Sequence, residues 1–444
     1  RRELIAKLES DDPDLYEKYL EARKMADSSL TYIRNCDRYP LTGKGDINCY
    51  QIFAELAHNI VSSKGRVGLL VPTGIATDIT NKNFFTKLVD TQTLFGLYDF
   101  ENKAPVFPAV HRSYKFSVLL FGGVKNKSRS ADFVFFAHAM DDLRDKKRHI
   151  TLSAGDFKLL NPNTRTCPVF RFKRDANLTK YIYKRVPVLV NKTREKGGNP
   201  WGIRFFTMFH QTNDAELFHT REQLERSGFK RSGPTWRKRK KVFLPLYEAK
   251  MIQMFDHRAA SVVIDDSKWM RQGQTDSTSL VQHQNPEFST EPRWWVQESE
   301  VNSILDENVE PAYISYKDVT SATNQRTMIA AFVPHVAALN SAPLILIESE
   351  ISLKRVCCLL SNLNAIAMDF TARQKVGGVH LNFFIVEQLP IFPPDFYKQK
   401  CPWNRRQTLE RWISDRVLKL TCTSNDMIPL AEAAGFKPRV HKWD

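Results

Sequence analysis

Membrane-length apolar runs are missing from this sequence. Its longest stretches, Ala342 to Ile347 and Phe383 to Val386, fall far short of the roughly 20 residues that a bilayer span requires, so no membrane partner is expected. An apolar segment suited to a secretory signal is missing as well. Cysteine is sparse: seven residues, at 36, 49, 167, 357, 358, 401 and 422, with no C-x-x-C pair. That pattern supports neither a disulfide framework nor a zinc ribbon, and a reducing cytoplasm suits it best. Eleven histidines lie far apart with no H-x-H or H-x-x-x-H spacing, so no metal site is expected. Acidic residues are in deficit, 49 against 65 Lys plus Arg, which leaves a formal charge of +16. An acidic partner is the first inference from that excess.

What is present is ordinary globular material. Over 444 residues, 42% are apolar and 26% charged, which excludes wholesale disorder, collagen and coiled coil. At roughly 100 to 200 residues per domain the length suits two to four units. The chain opens Arg1-Arg2-Glu3 without an initiator Met, and the expectation is a portion of a longer polypeptide.

Periodicity organises the first third. Ile47, Tyr50, Phe53, Leu56, Ala57, Ile60 and Val61 recur at three and four, with Asp46 as a cap and Gly65 as a stop, which predicts an amphipathic helix. Arg66 to Val71, closed by Pro72, reads as a strand buried on both faces, half of a βαβ unit. Asn81 to Asp90 reads as a second helix, and Leu94 to Phe100 and Phe116 to Phe121 as two strands. Only a loop joins those two strands, which favours an antiparallel return. The expected product is α/β, a mostly parallel Rossmann-like sheet ending in an antiparallel hairpin, with Phe133 to Phe136 as an edge strand. From about Arg144 the character shifts to short apolar runs at Val186 to Val190, Val242 to Leu246, Ser261 to Ile264 and Leu344 to Ile347, as in an α+β domain with long loops. Helical periodicity returns at Lys354 to Asp369 and Asn404 to Leu420.

Several motifs carry chemistry. Arg237-Lys238-Arg239-Lys240-Lys241 follows Trp236, downstream of Lys230 and Arg231. Clustered cations beside an aromatic suit a phosphate backbone; a solvated charged turn is the bland alternative, and the global charge favours nucleic acid. Gly43-x-Gly45 has no buried strand before it and reads as a helix-leading turn. Around Gly377-Gly378, the residues Arg373, Gln374, Lys375 and His380 supply phosphate or base-edge donors. Glu348, Glu350 and Lys354 have the wrong spacing for a nuclease E-x-K arm. Asp256-His257-Arg258 reads as polar surface rather than as an acid/base pair.

The succession of blocks resembles a known family. Gly45-Asp46-Ile47-Asn48, Gly65 to Gly74, Leu97-Tyr98-Asp99-Phe100-Glu101-Asn102 and Phe107-Pro108 look like the later part of the catalytic domain of class I, gamma-arrangement adenine-specific DNA methyltransferases, including type IIG restriction-modification enzymes and phage-defence methylases. Leu246 to Met251 with Phe255 to Arg258, Thr320 to Ile329, and Ala372 to Lys375 through Gln388-Leu389-Pro390 resemble the target-recognition region that follows it. The family's glycine-rich cofactor loop and its Asn/Asp-Pro-Pro-aromatic motif are not found, and Ala249 stands where relatives usually carry Gly.

The resemblance implies the C-terminal portion of an S-adenosylmethionine-dependent enzyme acting on double-stranded DNA, with the cofactor held by a preceding part and no catalytic residue in this stretch. It implies residues 1–143 as the end of the catalytic domain, 144–240 as a connecting segment with a basic loop, 241–395 as an α+β target-recognition domain and 396–444 as a helical tail. For DNA contact the expectation singles out Arg237, Lys238, Arg239, Lys240, Lys250, His257, Arg258, Arg326, Arg373, Gln374 and Lys375. The alternative is a non-catalytic specificity module that acts with a separate catalytic subunit.

Overall fold

The computed structural model describes residues 2–104, 106–112, 114–263, 274–305, 310–347 and 351–443. Ile264, Glu348 and Glu350 lie outside the described residues. The chain forms two compact units, Arg1–Asn177 and Leu178–Asp444. Among the described residues no helix is long and apolar enough to cross a membrane.

The first unit is built on β1 (Arg66–Pro72), β2 (Leu94–Glu101), β3 (Lys115–Gly122), β4 (Ser130–Ala137) and β5 (Ile150–Ser153) in the order β1-β3-β2-β4-β5. β3 pairs antiparallel with both β1 and β2, as the loop between β2 and β3 predicted. Only β2 and β4 pair in parallel, so the expected mostly parallel sheet is corrected to a mixed one. β4 is interior rather than an edge, and β5 takes the edge instead. β1 is the opposite edge, and its accessibility alternates, with Leu70 56% exposed. It is therefore not the doubly buried strand expected from its apolar run.

The helix Cys49–Ile60 begins where Gln51 Oε1 accepts from the Asn48 backbone N–H at 3.0 Å, two residues after the cap expected from Asp46. Its orientation inverts the expectation from periodicity. Gln51, Ala54 and Glu55 are buried, and the Glu55 carboxylate accepts from the Thr42 amide at 2.8 Å and hydroxyl at 2.6 Å. Phe53, Leu56 and Ile60 face outward, Ile60 at 74% exposure. Among the described residues one edge of β1 has no strand partner, and the helix carries an outward apolar stripe.

In the second unit, β6 (Ile203–Phe206), β7 (Lys230–Ser232), β8 (Thr235–Lys238), β9 (Lys241–Tyr247), β10 (Ala260–Val263), β11 (Gln274–Ser277), β12 (Trp295–Gln297), β13 (Tyr313–Tyr316), β14 (Ala330–Val333), β15 (Ala337–Ala338), β16 (Leu344–Ile347), β17 (Lys400–Cys401) and β18 (Asn404–Thr408) follow in turn. The sheet β14-β13-β16-β6 is buried on both faces because its residues alternate between two cores. Ile314, Tyr316, Ala330 and Phe332 pack with the helices Leu353–Leu363, Ile366–Arg373 and Leu409–Thr421. Tyr313, Ala331 and Val333 pack instead with Leu244, Leu246 and Val296 of the sheet β12-β9-β8-β7.

The expected helix from Lys354 to Asp369 is broken at Asn364, whose side chain bonds the backbone N–H and carbonyl of Ala330 at 3.0 and 2.8 Å. Asn404 to Thr408 is strand, not the start of a helix. Ala249 opens a short 3-10 turn and is not among the left-handed residues, so no glycine is required there.

Candidate nucleic-acid interface

The basic run forms the tip of an antiparallel ribbon. Trp236 lies opposite Phe243, Arg237 opposite Val242 and Lys238 opposite Lys241, which leaves Arg239 and Lys240 to make the turn. Arg239 adopts φ +54°, a left-handed conformation that costs a non-glycine residue about 1–2 kcal/mol. β7 places Lys230 directly across from Arg237. Like charges opposite one another repel, and the ribbon holds two such pairs, Lys230 with Arg237 and Lys238 with Lys241. Stability alone would not select that arrangement.

Arg237, Lys238, Arg239 and Lys240 are all exposed. Lys238 Nζ donates to the Ser227 carbonyl at 2.7 Å, and Arg231 is held by Glu291 at 2.9 and 2.5 Å. Among the described residues, Arg237, Arg239 and Lys240 form no ion pair. Trp236 does not join the charged surface. It is 3% exposed and meets Trp295 edge to face at 6.1 Å, so the ring anchors the ribbon rather than stacking on a ligand.

The remaining candidates are engaged by the chain itself, Lys250, Arg326 and Arg373 half-buried and the others buried. Lys250 pairs with the buried Glu248 at 3.1 Å. His257 is fully buried, with Nε2 3.0 Å from Asp426 Oδ2. Arg258 is fully buried too: Nη1 donates to the carbonyls of Asn285 and Phe288 at 3.0 and 2.9 Å, and Nη2 to those of His283 and Thr423 at 3.1 and 3.0 Å. Asp256 bridges the backbone of Arg258 and His283 Nε2 at 2.8 and 3.0 Å. The triplet expected at the surface is thus a buried bolt between the middle and the end of the chain. A guanidinium with four carbonyl acceptors is not available to a phosphate.

Arg326 donates to the Asn364 carbonyl at 3.1 Å. Arg373 reaches the carbonyls of Ala322 and Gln325 at 2.9 and 3.1 Å and Asp369 Oδ2 at 3.1 Å. The other oxygen of Asp369 accepts the amides of Thr327 and Met328 at 2.6 and 2.9 Å. Gln374 is buried, bonding the Phe370 carbonyl at 3.1 Å. Lys375 is buried with its ammonium 4.7 Å from the centre of the Tyr183 ring, and burial pushes its pKa well below the usual lysine range. The two blocks at 320–329 and 372–375 are therefore brought together, but chiefly to grip each other. His257, Arg258, Gln374 and Lys375 are corrected from interface to interior.

At the carboxyl ends of β1 and β2, where α/β sheets commonly hold ligands, the buried Asp99 is already engaged. It accepts from Thr73 Oγ1 at 2.6 Å and the Phe136 amide at 3.0 Å, and pairs with Lys115 at 3.4 Å. With its carboxylate filled by the chain itself, this cluster does not fit a bound S-adenosylmethionine. Among the described residues no group of His, Cys, Asp and Glu is placed to hold a metal ion.

One basic surface escaped the sequence reading. Lys400, Trp403, Arg405 and Arg406 are exposed around the β17–β18 hairpin. The signal was visible as cations beside tryptophan, the same pattern as at 236–241, but helical periodicity absorbed it.

No protein-family model matches the chain, and no curated protein matches it. Its structural neighbours are restriction-modification enzymes. The type IIG restriction endonuclease BpuSI is 12% identical with a TM-score of 0.31, the match covering 89% of this chain and 49% of that one. The type IIL restriction-modification enzyme MmeI, in complex with DNA, is 12% identical with a TM-score of 0.43, over 91% of this chain and 52% of that one. A nuclease-deletion mutant of the type ISP enzyme LlaGI, with a DNA substrate mimic, is 9% identical with a TM-score of 0.39, over 81% and 32%. The chain spans about half the length of the first two, and at these scores the functional argument rests on the chain's own residues.

Proposed function

We propose that this chain is the DNA-gripping, C-terminal portion of an S-adenosylmethionine-dependent adenine DNA methyltransferase of the restriction-modification kind, working in the cytoplasm on double-stranded DNA. The observation that carries the DNA reading is the ribbon β7–β9, with two like-charge cross-strand pairs and a cationic turn at its tip. Its tip is the two-stranded β8–β9 hairpin; a two-stranded β-ribbon has the dimensions to enter a major groove, and each neutralised phosphate would release counterions. In this reading 241–395 supports target recognition, and Arg237, Lys238, Arg239 and Lys240 are the contacts retained.

The methyltransferase part of the proposal is supported by the free edge of β1 and the outward Phe53, Leu56 and Ile60. An open strand edge and an outward apolar helix face suit the preceding half of an α/β sheet, which would also hold the sulfonium donor; Asp99 is not assigned to that role. The donor would supply the methyl group for transfer. This chain's residues would hold the duplex in place while the chemistry occurs.

The test is duplex binding by the full chain and by an Arg237→Ala/Arg239→Ala/Lys240→Ala variant across a salt series. The expected result is a slope of log K against log salt smaller by about 0.9 for each lost phosphate contact. An unchanged slope in a folded variant overturns the DNA reading. Binding that survives without methyl transfer, even when the preceding half is supplied, favours the specificity module over the methyltransferase.

A further inference from the structure

β17 and β18 pair as Lys400 with Thr408 and Cys401 with Asn404, leaving Pro402 and Trp403 at the tip. The base of the hairpin is firmly seated: Cys401 is fully buried, the Leu409 amide donates to the Gln399 carbonyl at 2.8 Å, and Thr408 caps the helix Leu409–Thr421. The register slips between Lys400 and Cys401, so Arg405 and Arg406 sit in a bulge and are exposed. Among the described residues Lys400, Arg405 and Arg406 form no ion pair.

The tip carries an aromatic as well as charge. Trp403 is 60% exposed, and its ring meets Trp412 at 4.9 Å and 68°. Trp412 is in turn covered by the Arg416 guanidinium, 3.6 Å from the ring centre. A ladder of guanidinium, indole and indole thus leads from the helix to a ring that ends in solvent. Leaving a tryptophan this bare is unfavourable unless it has a partner.

The two basic hairpins therefore differ in kind. In the ribbon the indole is buried and charge alone is offered, whereas here an open indole lies among free cations. In a duplex, base faces are covered by their neighbours and only edges are on display. An open indole face is matched by an unstacked base, with the nearby cations on its phosphates.

We propose that the β17–β18 hairpin is a second nucleic-acid site that takes unpaired nucleotides, Trp403 stacking on a base while Lys400, Arg405 and Arg406 hold the flanking phosphates. This deepens the DNA reading and rests on it for the identity of the polyanion.

The experiment uses the full chain with a labelled oligothymidylate, the matching duplex, and vesicles of phosphatidylcholine with phosphatidylserine. Trp403→Ala is expected to weaken oligothymidylate binding by about five- to a hundredfold, as loss of one stacked base predicts, with the salt slope unchanged. Trp403→Phe should restore much of the affinity, whereas Arg405→Ala/Arg406→Ala should lower the salt slope for the single strand. Equal oligothymidylate affinity for the wild type and Trp403→Ala overturns the inference, as does a Trp403-dependent preference for the vesicles. The ribbon variants report separately: an unchanged duplex salt slope there with an intact Trp403 effect here overturns the ribbon reading alone, whereas a lowered slope there with no Trp403 effect here overturns this inference alone.

Discussion

The ribbon at 230–241 and the bolt at 256–258 are made of the same kind of side chain and are opposites in use. In the ribbon, cations stand opposite cations and project into water. In the bolt, Arg258 and His257 are fully buried and matched by Asp256, Asp426 and four backbone carbonyls. Desolvation explains the difference: a buried guanidinium needs acceptors for most of its donors, as Nη1 and Nη2 of Arg258 have, while an exposed one can wait for a ligand. Arginine content therefore marks a binding surface only where the chain has not already supplied the acceptors.

The comparison can be broken most directly at Arg258. Arg258→Ala should cost about 3–5 kcal/mol in urea unfolding, because the buried carbonyls of Asn285, Phe288, His283 and Thr423 lose their donor. A stable variant with weakened duplex affinity would return Arg258 to the interface. Next comes Asp369→Ala, which strands the amides of Thr327 and Met328 and releases Arg373. A loss of about 2–4 kcal/mol in the same assay is expected.

The third prediction concerns acid. Burial alone would raise the Asp426 carboxyl, but His257, Ser424 and Arg258 outweigh it and hold the pKa down at about 2. A depressed carboxyl contributes stability that is complete above its unfolded value near 3.8 and disappears as pH falls through about 2. The amount is about 2 kcal/mol, and Asp426→Asn should flatten the stability profile between those two pH values. An unaltered acid limb would show that the bolt is not held by this charge. The smallest effect on folding belongs to the ribbon. Arg237→Ala/Lys240→Ala should change stability by no more than about 0.5 kcal/mol, with a shift towards greater stability as like-charge repulsion is relieved, while duplex affinity falls.

Much of the local structure was legible in advance. The helix Lys82–Asp90, the strands β2, β3, β9 and β16, and the antiparallel return of β3 follow from period and loop content. Errors cluster where a pattern had two solutions. Arg66 to Val71 was apolar enough for a buried strand but forms an edge, and the stripe Phe53, Leu56, Ile60 identified a helix without saying which way it turns. Asn404 to Thr408 fitted a helical period yet pairs as strand because Lys400 and Cys401 supply a ladder.

By itself the sequence determined the charge excess, the element types in the strongly periodic stretches, and the run of cations at 237–241 that stays in water. Those properties depend on neighbours a few residues away and on the bulk cost of burying charge. Only the tertiary structure decided that Arg258 and Lys375 lie inside while Arg405 and Trp403 lie outside. Their acceptors, or lack of them, come from residues tens to more than a hundred positions away, which folding alone brings within hydrogen-bond range.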